Sequence, residues 1–216
     1  MFTANPEDVQ RITIFPLSGT LLLPGLHLPL HIFEPRYRAM VQDVLIRDRQ
    51  IGMIQPRPNP SATSPEKPAL YDIGCLGRIV DVEALDDGRF NITLEGIARF
   101  QVQRELDVPT PFRQIEALLE TAPADTEFLA SVERASLERE ARRFAEKQGY
   151  LVDWTAVSRL DDSMLVNGIA QAAPFDPASK QAILETATLA ERSELIVQLM
   201  QFYSQINDND GRNTLQ

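Results

Sequence analysis

His27, His31 and Glu34 lie within eight residues of one another, and two imidazoles with a carboxylate are the donor types of a zinc site. On an extended strand positions 27 and 31 share a face, with Pro29 between them. A catalytic zinc takes three protein ligands and one open position, and the chain holds no third histidine. The trio therefore offers, at its furthest, a metal-assisted hydrolase built on His27, His31 and a borrowed carboxylate. The plainer expectation is two histidines on the outer face of a strand that turns into a helix.

The other reactive types are scarce. Cys75, the only cysteine, stands between Gly74 and Leu76 without the neighbouring cation that stabilises a thiolate, and reads as a buried, inert thiol. One cysteine excludes an intrachain disulfide and a cysteine-based zinc site, and points to a reducing, cytoplasmic compartment. Ser179 and Lys180 are neighbours at an expected helix start, where successive side chains diverge, so they read as a cap and a solvent-facing group. Glu83, Asp86 and Asp87 gather at an expected hairpin tip and read as solvated. Arg142 and Arg143 are balanced by Glu138, Glu140 and Glu146 on one helix. Trp154, the only tryptophan, falls in a linker between helices; it either packs there or stands out as an anchor for a partner.

The elements that must position these residues divide the chain in two. Of fifteen prolines and ten glycines, twelve and seven precede residue 112, and these residues end elements and shape turns. The front is thus expected to be short strands: Ile12 and Ile14, the run Leu21 to Leu23, residues 51–54, then residues 73–85 and 89–102 around Asp87-Gly88, a hairpin dipeptide. The alternation shifts phase at Gly96, which predicts a bulge or bend. A further strand is expected over 113–119. Pro35 opens a helix with Tyr37, Met40, Val41, Val44 and Leu45 on one face. Residues 55–68 hold five prolines and predict an exposed loop.

Past Pro123 the apolar period lengthens. Leu129, Val132, Leu137, Ala141 and Phe144 predict a helix ending at Gly149. Residues 160–173 predict a second, Asp176-Pro177 opens a third, and Thr188 with Glu191 has capping-box spacing for a fourth, faced by Leu195, Ile196, Leu199, Tyr203 and Ile206.

Composition agrees with a folded protein: 44% hydrophobic and 24% charged residues over 216 positions, enough chain to close a sizeable core. The net charge of -10 speaks against nucleic acid, whose binding draws on basic groups. The N-terminal dozen residues lack a basic start followed by an apolar run, and nowhere do about 18 apolar residues run together. Neither secretion nor a membrane span is expected.

The order of these motifs resembles a known family. Residues 14–45, IFPLSGTLLLPGLHLPLHIFEPRYRAMVQDVL, are similar to the start of the amino-terminal, substrate-recognition domain of Lon-type ATP-dependent proteases. The likeness continues through residues 71–102, with Gly74, Gly96 and Arg99 at the family's glycine and arginine positions, and through residues 180–200. Phe15, Pro16, Leu17, Pro24, Gly25, Pro29, Phe33, Arg36, Tyr37 and Phe100 also match the pattern. The resemblance implies an α+β fold, a PUA-like twisted β-barrel with one inserted helix, followed by a small helical bundle. The expected division is 1–121 barrel, 122–207 bundle and 208–216 polar tail.

It further implies a role in holding protein substrates. A complete Lon protease carries an ATPase with a glycine-rich loop ending in Gly-Lys. The three lysines of this chain, Lys67, Lys147 and Lys180, follow Glu, Glu and Ser, so that loop is not within it. The expected activity is non-catalytic binding of unfolded or hydrophobic polypeptide segments, or of a partner protein, in protein quality control, with no cofactor. Candidate contacts are a rim formed by Leu26, His27, Phe33, Arg36 and Tyr37, and the groove between barrel and bundle. Most of the other matching positions read as framework, with Arg36 and Arg99 holding carboxylates or backbone carbonyls. The PUA-like fold alone would also allow RNA binding, which the net charge disfavours.

Overall fold

Proline-punctuated alternation in the front of the chain builds one six-stranded sheet. The computed structural model describes residues 9–58, 67–120 and 128–213, and the chain divides into two compact units, Met1–Pro123 and Ala124–Gln216. The loop expected at 55–68 lies partly outside the described residues; its base is clipped by a bridge between Pro56 and Leu70.

The strands of the first unit are β1 (Val9–Pro16), β2 (His27–Ile32), β3 (Gln50–Ile54), β4 (Ile73–Ala84), β5 (Phe90–Glu105) and β6 (Gln114–Leu119), with helix α1 (Pro35–Ile46) between β2 and β3. The sheet order is β2-β5-β4-β3-β1-β6, and β5 also pairs with β6. Following β5, β4, β3, β1 and β6 therefore leads back to β5, a closed circuit that removes the sheet edges along it. The sixteen residues of β5 make this possible: 90–95 pair with β2 and 100–105 with β6, while β4 pairs along most of its length. The switch falls at Gly96, where Ile97 has no partner in β4. A Cβ at Gly96 would sit 2.2 Å from the Leu23 carbonyl oxygen, so only glycine lets the irregular segment press against the bend.

That segment corrects one expectation. Leu21, Leu22 and Leu23 are buried but belong to no strand. They fill the core as a loop whose polar groups are met from outside: Gly19 N–H donates to Gln55 Oε1 at 3.0 Å, and Gly25 N–H to Gly96 O at 3.0 Å. Pro16 and Pro24 deny the run a ladder, yet burial needs only apolar side chains and satisfied backbone. Beyond it, Gly96 N–H donates to the Leu26 carbonyl at 2.8 Å. This sets the β2–β5 phase, so residues 27, 29 and 31 turn their backbone groups away from β5. Pro29 thus lies where its missing N–H costs no ladder bond.

The barrel core gathers Ile12, Ile14, Ile54, Leu76, Phe100, Ile115 and Ala117. Helix α1 buries Tyr37, Met40, Val41 and Val44, with the Tyr37 ring centroid 4.2 Å from that of Phe15 in β1. The hairpin between β4 and β5 is a three-residue loop, 86–88: Leu85 N–H donates to Arg89 O at 2.9 Å and Gly88 N–H to Leu85 O at 2.8 Å.

The second unit holds α2 (Ser131–Gln148), α3 (Trp154–Val157), α4 (Asp162–Ala172), α5 (Pro177–Glu185) and α6 (Leu189–Asn213). Gly149 ends α2 in the left-handed region, and Thr188 and Glu191 cap α6 reciprocally at 3.2 Å. Three expectations are corrected. Val132 is 81% exposed, because it lies in the first turn of α2, ahead of the buried run that begins at Leu137. The 150–160 linker contains α3, one turn nucleated by Asp153, whose carboxylate accepts from Thr155 and Ala156 N–H at 3.0 and 3.1 Å. Helix α6 continues to Asn213 through much of the expected tail, since a polar run at the end of a capped helix need not leave it. No helix among the described residues is long and apolar enough to cross a membrane.

Candidate functional site

The predicted rim reaches the surface with only part of its membership. Phe33 is 60% exposed, whereas Leu26 and Tyr37 are 7% and 6% exposed and face the core. Their apolar bodies are consumed by packing, so they offer a client little; His27, Phe33 and Arg36 remain outside. Arg36 lies over the Tyr37 ring with its guanidinium carbon 4.5 Å from the centroid, and its Nε donates to Glu34 Oε2 at 3.0 Å. Burial pushes the Tyr37 phenol above its usual range, with Arg36 opposing and Glu34 adding. Arg99 is buried and paired with Glu120, its Nε donating to Glu120 Oε2 at 2.6 Å. Burial raises the Glu120 carboxyl, but the Arg99 contacts outweigh it and the group ends below the usual carboxylate range.

The histidines share the outer face of β2, and a hydrogen-bonded chain occupies one of them. His31 Nδ1 is 2.7 Å from Asn91 Oδ1, and Arg89 Nη1 is 3.2 Å from His31 Nε2. Asn91 Nδ2 donates in turn to Glu83 Oε2 at 2.7 Å. Since the Asn91 oxygen only accepts and a guanidinium only donates, the imidazole carries its proton on Nδ1 and accepts at Nε2. Both nitrogens are engaged, one by a cation, and Glu34 is held by Arg36. Among the described residues no group of three or more His, Cys, Asp or Glu is placed to hold a metal ion. Cys75 is buried, its thiol 3.7 Å from the Leu76 carbonyl. Ser179 Oγ donates to Asp176 Oδ2 at 2.8 Å, and burial lowers Lys180.

A large cleft of the barrel unit, about 710 Å³, is lined by Glu34, Arg36, Lys67, Glu105, Phe112 and Arg113 with their neighbours. Its charges are compensated internally: Arg113 grips Glu105 through Nε and Nη2 at 2.8 and 2.7 Å, and Lys67 reaches Glu105 at 3.3 Å.

The helical unit presents the opposite chemistry. A groove of about 210 Å³ opens among α2, α3 and α4, lined by Phe144, Tyr150, Val152, Trp154, Val157, Leu160, Met164, Ile169 and Met200 together with small residues, and no charged side chain. Tyr150, Leu151, Val152, Leu160 and Met164 are exposed. Three pieces of local structure create it. Gly149 stops α2 and turns the chain outward, Asp153 caps the single turn that carries Trp154, and Asp161 starts α4 by accepting from Met164 N–H at 2.7 Å. Arg142, nearly two turns before the end of α2, lies over Trp154 with its guanidinium carbon 4.7 Å from the ring centroid. Of these residues only Trp154 was a sequence-level candidate. Leu160 and Met164 have the i, i+4 spacing of a core face, and nothing in that spacing tells a core face from one left open.

Comparison with known proteins places this geometry. A model of the ATP-dependent protease La (LON) substrate-binding domain matches residues 11–201. Lon protease 2 of Myxococcus xanthus is 27% identical over 204 residues, which cover 91% of this chain and 24% of that protein. The Lon protease of Escherichia coli K12 is 25% identical over 208 residues, covering 91% and 26%. The chain thus spans about a quarter of the length of these curated relatives. The crystal structure of a Lon N-terminal domain protein from Xanthomonas campestris superposes with a TM-score of 0.63 at 21% identity, covering 88% of this chain and 98% of that one. The N-terminal domain of a Mycobacterium avium complex Lon protease gives 0.64 at 18%, covering 89% and 98%. These structures share the fold, a mixed sheet followed by helices, and the similarity is to the amino-terminal domain, apart from the ATPase and protease modules. With the match running from β1 into α6, the chain belongs to the LON substrate-binding domain family.

Proposed function

We propose that this chain receives exposed apolar stretches of other polypeptides in the groove of its helical unit and leaves their peptide bonds intact. The observation that carries the reading is the groove itself: an uncharged lining around Trp154, with large apolar side chains exposed at its lip. Exposed apolar surface of this kind marks interaction sites, and exposed apolar segments are what distinguish an unfolded client from a folded one. Membership of a substrate-binding family supports a polypeptide ligand, and the net charge of -10 favours one over nucleic acid.

The surroundings of the reactive side chains support binding without cleavage. A serine or cysteine nucleophile is usually activated by a histidine oriented towards it; here Ser179 donates to Asp176, Cys75 is buried within β4, and His31 is held between Asn91 and Arg89. Affinity follows from size. Burying two large apolar side chains yields about 3–6 kcal/mol before ordering costs, which places Kd no tighter than about 40 µM. A holder that must release its client needs no more. We place the protein in the cytoplasm, where a buried lone thiol stays reduced.

Trp154, as the only tryptophan, reports on the groove directly. Titration with a capped, uncharged peptide carrying Phe and Leu should shift its fluorescence saturably, and the protein should slow aggregation of an unfolded client. An unchanged spectrum together with undiminished aggregation would reject the reading.

A further inference from the structure

The groove has no charged lining, yet one cation stands on its lip, and that cation is unspent. Arg142 is exposed and rests on Trp154. Of the other arginines on α2, Arg134 pairs with Glu138 and Asp162, Arg139 lies by Glu140 and Ser136, and Arg143 lines a separate hollow with Glu140 and Lys147. No carboxylate among the described residues pairs with Arg142. A guanidinium stacked on an indole is held in place by the ring's electron-rich face, while its N–H groups, which lie in its own plane, stay available. Such a group is a preorganised receptor for a carboxylate.

Resting on the groove reading, we infer that Arg142 makes the site selective for apolar segments that carry an acidic side chain next to the anchoring residue. The carboxylate comes from a side chain within the segment. Exposed apolar residues lie both before Trp154 in the chain, at Tyr150, Leu151 and Val152, and after it, at Leu160 and Met164. A segment that passes across Trp154 therefore covers more of this surface than one that ends there. The selectivity is local and works against the global charge of the chain, so it depends on Arg142 lying within contact distance of the client. An exposed pair of this kind contributes modestly, and the stacking that fixes the guanidinium raises it, giving about three- to tenfold tighter binding of the acidic segment.

The test compares three peptides by Trp154 fluorescence: a capped Phe-Leu core flanked by Gln, the same capped core flanked by Glu, and a Gln version left uncapped at its C-terminus, so that its only carboxylate is the terminal one. In about 50 mM salt the Glu peptide should bind about three- to tenfold tighter than the Gln peptide. The ratio should fall towards one in 1 M salt, where the Debye length is about 3 Å. In Arg142→Gln the ratio should collapse, Arg142→Lys should keep part of it, and Arg139→Gln should keep it whole. Equal binding of Gln and Glu peptides by the unmodified protein overturns the inference and leaves the groove reading standing, as does a ratio that survives Arg142→Gln. A gain seen only with the free C-terminus overturns the side-chain source. If none of the peptides binds, the groove reading fails and takes this inference with it.

Discussion

Two concavities, one in each unit, invert each other. The barrel unit's cleft is the larger, about 710 Å³, and is built from arginines, a lysine and glutamates that already neutralise one another. The helical groove is less than a third of that volume and is apolar, with a single uncommitted cation at its edge. A ligand entering the first must displace ion pairs and their water, which returns little net free energy. A ligand entering the second covers surface that water solvates poorly. Size therefore does not pick the site; unspent interaction capacity does.

Separating the two regions is the way to break this contrast, and the largest effect belongs to the barrel. Phe100 is fully buried at the point where β5 leaves β2 for β6, and its ring fills the space beside Gly74, where an added Cβ would lie 2.3 Å from Phe100 Cζ. Phe100→Ala should cost about 3–5 kcal/mol, measured by urea denaturation of the first unit. Arg99→Ala should cost less, about 1.5–3 kcal/mol, because it removes the buried guanidinium whose Nε donates to the partly buried Glu120 carboxylate.

Next in size is the groove. Trp154→Ala should weaken capped apolar peptides by about 1–3 kcal/mol, roughly 5- to 150-fold, read by calorimetry since the fluorophore is gone. The thermal midpoint should move little, because Trp154 is only half-buried in a one-turn helix. Loss of stability without loss of binding would identify it as a packing residue and return the search to the rim.

A smaller effect is tied to pH. Tyr203 donates to Asp176, and with Ser179 and Ala178 it holds that carboxyl down to about 2 from its ordinary 3.8. A depressed pKa gives stability that is present above pH 3.8 and disappears as pH falls towards 2. Because the pair is solvent-exposed, screening reduces this to about 1 kcal/mol or less. Tyr203→Phe should flatten the acid limb of the helical unit's stability curve between pH 4 and 2 and leave pH 7 binding intact; an unaltered limb would show that the contact between α5 and α6 carries no linkage.

What was legible in the sequence differs between these regions for the same reason. Alternation, turn dipeptides and caps are local, so β4, β5, α1, the Gly149 stop and the Thr188–Glu191 box could be read directly. Closure of the sheet was legible only as a phase shift at Gly96. The burial of Leu21 to Leu23 without a strand, and of Leu26 and Tyr37 away from the rim, depends on what packs opposite them, which no local pattern encodes. The groove was hidden because its walls are ordinary core-type residues; the residue that revealed it, Trp154, sits on a helix too short to show a period.

The smallest expected effect tests the rim. Phe33 is exposed, its ring stacks on His31 with centroids 6.2 Å apart, and it lines neither the barrel cleft nor the helical groove. Phe33→Ser should change stability by less than about 0.5 kcal/mol, as surface substitutions do, and peptide affinity by less than about twofold. The reason is geometric: a lone exposed ring buries one face against a client and leaves the other in water, whereas Trp154 is backed by α2 and α4. A loss of affinity comparable with that of Trp154→Ala would mean that clients span β2 as well as the groove, and that the polar outer face of β2, with its His31-Asn91-Glu83 chain, takes part in holding them.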